Sequence, residues 1–189
     1  MEEDRITVKK LLTGPLNQIL LACIIILGIL KQPLSFTSEL LSMQFPRGII
    51  SAFVAILLTV VPWYLCIQKG FIENSKCELE ELLNLLGKTK FAIIYLLNAF
   101  SEELLFRVAL LGMLLLIMDA KSAILISAIL FTLAHSRYRK SWKLMLLIIW
   151  VGIVLGNLYI STGSIVTIIV VHFTHNMLIV IPQIEKEEC

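Results

Sequence analysis

The chain has 189 residues, 58% of them hydrophobic and 16% charged, with a net charge of +2 and a mean hydropathy of +0.91. A soluble domain is about 45–50% apolar and about 25% charged, so this composition argues against a soluble globule and offers no basic footprint for nucleic acid. The length accommodates one compact helical bundle, expected to be a single membrane domain over 1–189.

The opening segment MEEDRITVKKLLTGP mixes acids and bases, and no small-residue cleavage site follows the first apolar run. It is expected to be a cytosolic or interfacial lead-in, not a cleavable signal. A helix needs about 20 apolar residues to cross the hydrocarbon core. Candidates lie at 15–30, 48–67, 91–118, 122–135, 144–160 and 164–181, the fourth short and the third overlong. The expected fold is therefore all-α, a polytopic bundle of about six transmembrane helices. Between the second and third spans, 68–90 is polar, and Leu79, Leu82, Leu83 and Leu86 recur at helical spacing. This predicts a short amphipathic interfacial helix or the lead-in turn of the third span.

Basic residues set the orientation. With connections numbered alternately, twelve of the sixteen Lys and Arg fall on one side and three on the other, with Arg107 inside a span. Both termini are expected to face the cytosol. Cys23, Cys66, Cys77 and Cys189 show neither zinc-site nor disulfide spacing and read as apolar fillers or idle thiols. Gly152 and Gly156 form a G-x-x-x-G in the fifth span, expected to serve close contact within the bundle.

The third span is the informative one. FAIIYLLNAFSEELLFRVALLGMLLLIM contains only Glu102, Glu103 and Arg107 as charged residues. An ionisable group in hydrocarbon costs at least ~2.5–3.5 kcal/mol and marks a functional-site candidate. The adjacent glutamates diverge by ~100° on a helix. Glu103 stands four residues before Arg107, the favourable order for an intrahelical pair. That division leaves Glu102 facing an internal cavity, placed to act as a general base.

The remaining polar groups of apolar surroundings are His135, ending ILFTLAH, and His172, His175 and Asn176 in VVHFTHNML. His172 and Asn176 share a helix face. At 1.5 Å per residue, Glu102 lies about 17 Å inward from residue 91 and His172 about 15 Å inward from residue 182, so the two can sit at one level. By the same count His135 is shallower, which requires its helix to begin deeper or tilt, or the cavity to open toward the cytosol.

Glu-Glu-x-x-x-Arg (Glu102, Glu103, Arg107), Phe-x-x-x-His (Phe131, His135) and His-x-x-x-Asn (His172, Asn176) occur in this order, each on its own apolar segment. Together they resemble the three motifs of the CPBP intramembrane endopeptidases, the group of CAAX prenyl proteases and bacteriocin-processing enzymes also called the Abi family. The resemblance covers roughly 91–181, the expected catalytic core. It implies hydrolysis of a peptide bond in a membrane-anchored or amphipathic peptide or protein near the cytosolic leaflet. Glu102 and His135 would activate a water, His172 and Asn176 would stabilise the oxyanion, and Glu103 and Arg107 would support them. Phe131 would pack beneath His135. His175, outside the motifs, reads as a packing or hydrogen-bonding residue.

No cofactor is expected. If zinc were bound, Glu102, His135 and His172 would be its ligands, although HExxH is absent. The expected location is a multi-pass integral membrane protein, in the plasma membrane if the source is prokaryotic, with the bilayer and a membrane-associated substrate as partners and no nucleic acid. Two other readings compete: a non-catalytic membrane-binding or bacteriocin-immunity protein, and an ion-coupled carrier. The lack of an inverted repeat counts against the carrier.

Overall fold

The computed structural model describes residues 2–29, 47–71, 76–135 and 141–184, and these are helical with short connections and no strand. Six helices follow one another: α1 (Glu2–Ile29), α2 (Arg47–Gln68), α3 (Lys76–Glu103), α4 (Ala120–Ala134), α5 (Trp142–Thr162) and α6 (Ile165–Ile184). The chain belongs to the all-α membrane class because its helices turn large apolar side chains outward. Leu16, Leu20 and Leu27 of α1 and Ile50 and Phe53 of α2 are each more than half exposed. In water such a surface would drive aggregation; in hydrocarbon it costs nothing. Gly48–Gln68 and Trp142–Thr162 are long and apolar enough to cross alone, whereas Leu12–Leu27, Ala120–Ala134 and Ile165–Ile181 are shorter apolar helices.

The expected amphipathic segment exists but is joined to the third span. Lys76–Glu103 is two helices that meet at Gly87, whose backbone (φ 71°, ψ 157°) is not helical and lies in a region that a side chain would strain. Leu82, Leu83 and Leu86 before the kink pack on Phe91, Ile94 and Val180, so this stripe faces the bundle, while Leu85 is exposed. The side-chain environment of Leu79 lies outside the described residues.

After Glu103 the helix widens into a π-helical segment, Leu104–Leu111, and closes with one α-turn at Gly112–Leu114. Asp119 then starts α4, accepting from the Lys121 and Ser122 backbone N–H groups at 3.0 and 3.1 Å and from the Ser122 hydroxyl at 2.7 Å. This is an N-cap, and the Ser122 hydroxyl above all holds the Asp119 carboxyl below the usual carboxylate range.

Helices α4 and α5 form a tight antiparallel pair. A Cβ on Gly152 would lie 2.9 Å from Ala128 Cβ, and one on Gly156 would lie 3.1 Å from Ile124 Cγ2. The G-x-x-x-G therefore serves contact inside the bundle, as its sequence suggested. Gly163 ends α5 in the left-handed conformation, its N–H returning to Tyr159 O. Among the polar ties of the first two helices, Ser101 Oγ donates to Gln18 Oε1 at 2.7 Å, and Trp150 Nε1 donates to Leu58 O at 2.8 Å.

Candidate active site

Helix lengths explain how the polar residues meet. Helix α4 has 15 residues, a rise of only about 22 Å, so it stops part-way along the bundle. His135 at its C-terminal end stands beside Glu102 on α3, whose carboxylate also faces His172 on α6. The depth mismatch expected for His135 is thus resolved by a short helix that begins at Asp119.

Three side chains converge. His135 Nε2 is 3.6 Å from Glu102 Oε1, and His172 Nε2 is 3.6 Å from Glu102 Oε2. These separations are too long for direct hydrogen bonds and suit a small bridging molecule. The side chains of Glu102, His135 and His172 are 14%, 23% and 5% exposed, so the cluster opens on the His135 side.

Both imidazoles are held from behind. His135 Nδ1 lies 2.7 Å from the Phe131 carbonyl, which can only accept, so Nδ1 carries the proton. His172 Nδ1 lies 2.6 Å from Glu103 Oε1, which fixes its proton in the same way. In each ring the nitrogen left toward Glu102 is Nε2.

Glu103 does two jobs where its spacing disclosed one. Its Oε2 is 3.2 Å from Arg107 Nε, the anticipated intrahelical pair, while Oε1 reaches across to His172. Glu103 is fully buried and Arg107 is 1% exposed. The Arg107 guanidinium lies 4.6 Å above the Phe131 ring, an attraction between cation and ring face. Phe131 also meets the His135 ring at 4.5 Å and the Phe106 ring edge-on at 5.1 Å. It packs beneath His135, as the resemblance implied, and in addition supplies the carbonyl that orients that histidine.

Asn176 follows His172 by one turn of α6 and is half-buried, and its side chain makes no hydrogen bond with another described residue. His175 is buried and turned toward α2, its ring edge-on to Trp63 at 5.8 Å. It stays outside the cluster around Glu102.

The Glu103–His172 bond joins residues 69 positions apart, and no local spacing announces it. The same is true of Ser127, buried on α4, whose hydroxyl donates to Phe106 O at 2.8 Å. Among the described residues no group of three His, Cys, Asp or Glu side chains forms a metal-holding set. Cys23 and Cys66 are free thiols, exposed and half-buried respectively.

A family model described as type II CAAX prenyl endopeptidase, Rce1-like, matches residues 86–178, the segment that supplies Glu102, Glu103, Arg107, His135, His172 and Asn176. No curated protein and no solved structure matches the chain.

Proposed function

We propose that this chain, whose residues 86–178 match the family of type II CAAX prenyl endopeptidases, Rce1-like, hydrolyses a peptide bond of a membrane-associated peptide or protein with Glu102 as general base. The family is one of intramembrane proteases acting on membrane-associated substrates, and the apolar helices agree with an integral membrane protein. The observation that carries the finer reading is the approach of both His135 Nε2 and His172 Nε2 to the two oxygens of Glu102, each at 3.6 Å.

In the proposed reaction a water sits between Glu102 and His135. Glu102 takes one of its protons as the water oxygen bonds to the scissile carbonyl carbon. The carbonyl oxygen becomes an oxyanion, received by the Asn176 amide and by His172 in its imidazolium form, in which Nε2 carries a proton as well as the Nδ1 held by Glu103. The amide bond then breaks, the proton held by Glu102 passes to the leaving nitrogen, and an acid and an amine are released. Glu103 keeps His172 in place and is itself held by Arg107. No metal enters this scheme. The mouth lies at the end of the bundle where the sequence continues from His135 into the basic run SRYRK, the face assigned to the cytosol with both termini.

The test uses protein reconstituted in lipid vesicles with an internally quenched peptide ending in a prenylated CAAX sequence, alongside a comparison of new N-termini in expressing membranes. Glu102→Gln keeps shape and removes the base, so cleavage should fall by at least ~100-fold with the fold retained, and a chelator should leave the wild-type rate unchanged. Wild-type cleavage by Glu102→Gln would sink the glutamate mechanism. Chelator-sensitive cleavage restored by zinc would move Glu102, His135 and His172 to metal ligands. Identical N-termini with any phenotype preserved in the variant would favour a binding or immunity role.

A further inference from the structure

We infer that Ser127 is a positioning residue for the proposed reaction, because it holds the π-helical register that aims Glu102 and Glu103 at the two histidines. This rests on the protease reading only for its kinetic consequence; the register itself is a property of the fold.

Leu104–Leu111 is eight residues of π-helix beginning immediately after Glu103. Such segments are rare, normally a single turn, and persist where function or packing sustains them. An α-helix turns by ~100° per residue, and the wider π-turn adds about one residue per turn. Across the segment, the residues before it are therefore rotated relative to those after it by on the order of 100°.

Both ends are pinned to specific partners. At its far end and just beyond, Leu111 and Leu114 are buried against Ala123 and Ile124 of α4. Before it, Glu102 and Glu103 meet His135 and His172. Were the segment to relax to ordinary α-helix with Leu111 still packed, the glutamates would swing away from the histidines. The widened register is what lets one helix satisfy both.

The support comes from outside the helix. Ser127 is 3% exposed, and its hydroxyl reaches 21 residues back to donate to Phe106 O at 2.8 Å, within the first turn of the segment. It is a tertiary bond, unlike the neighbouring Thr132 hydroxyl, which donates to Ala128 O of its own helix at 2.9 Å. The Phe106 ring then rests edge-on against Phe131, the residue whose carbonyl orients His135 and whose face carries Arg107. Ser127 thereby ties the register of the glutamate helix to α4, the helix that presents His135 at its C-terminal end.

Four proteins in vesicles decide the matter: wild type, Ser127→Ala, Ser127→Thr, and Thr132→Val as a control that removes a buried hydroxyl bonded within its own helix. The readouts are kcat and KM on the quenched prenylated peptide, thermal midpoint, and backbone hydrogen exchange resolved over 104–111. Ser127→Ala should lose about tenfold in kcat with KM within twofold, and its exchange should rise in 104–111 while other helices stay protected. Ser127→Thr should restore both, and Thr132→Val should change neither. Unchanged exchange over 104–111 in Ser127→Ala overturns the inference whatever the activity, as does a kcat loss that Thr132→Val reproduces. If wild type and Glu102→Gln prove equally inactive, the protease reading fails on its own, and the exchange comparison still decides whether Ser127 sets the register.

Discussion

Helices α2 and α5 each offer a 21-residue apolar span of nearly equal hydropathy, yet 22% of the α2 window lies inside the bundle against 44% of the α5 window. The difference comes from what each helix meets. Helix α5 brings Gly152 and Gly156 to the backbone of α4 and buries Leu147, Ile148, Val151 and Leu155 around the site. Helix α2 turns Phe53, Leu57, Tyr64 and Leu65 outward and keeps a narrow inner face of Ala52, Ala55, Thr59 and Trp63. Apolar content establishes that a segment prefers lipid; it does not say whether the helix will be central or peripheral. In a bilayer both surroundings are apolar, and close packing decides between them.

The contrast extends to the two parts of the chain. The part containing residues 86–178 carries a buried ion pair and two histidines fixed by acceptors. Helices α1 and α2 are attached to it by apolar contacts and by the Gln18 and Leu58 ties. Substitutions in the first part should therefore cost far more than substitutions in the second.

The largest effect is expected at the ion pair. Glu103→Ala leaves Arg107 buried without its countercharge and should cost about 3–5 kcal/mol, read as a sharp fall in the thermal midpoint in detergent. The double change Glu103→Gln with Arg107→Met should cost less than the two single changes added together. Near-wild-type melting of Glu103→Ala would remove the pairing argument. Next comes the helix crossing: Gly152→Ala forces a methyl against Ala128 and should cost about 1–3 kcal/mol. Gly14→Ala in α1, where nothing lies within 4 Å of the added carbon, should instead be neutral or raise stability by up to ~1 kcal/mol. Equal effects at the two glycines would erase the distinction between centre and edge. The smallest loss is expected for Trp150→Phe, which removes the donor to Leu58 O and should cost about 0.5–1.5 kcal/mol, measured by the same melting experiment.

Much of the candidate site was legible because its residue types are expensive where they stand. Glu102, Glu103 and Arg107 in an apolar run, and histidines in two others, announce themselves against any lipid-compatible background. The Glu103–Arg107 pair was legible because four residues make one helical turn, and the amphipathic leucines before Gly87 were legible for the same reason. The sequence pattern did not disclose that those leucines would pack on Val180, since an apolar stripe fits lipid and protein equally well.

What the sequence by itself determined was the all-α membrane class, the approximate positions of the apolar helices and the charged and histidine side chains near Glu102, all consequences of burial cost and local periodicity. The tertiary structure decided how those side chains are held. Glu103 reaches His172 across two helices, a short α4 sets His135 at the level of Glu102, and Ser127 grips a π-segment that turns both glutamates inward. Such bonds join residues far apart in the chain, and only the packed geometry of α3, α4 and α6 makes them neighbours.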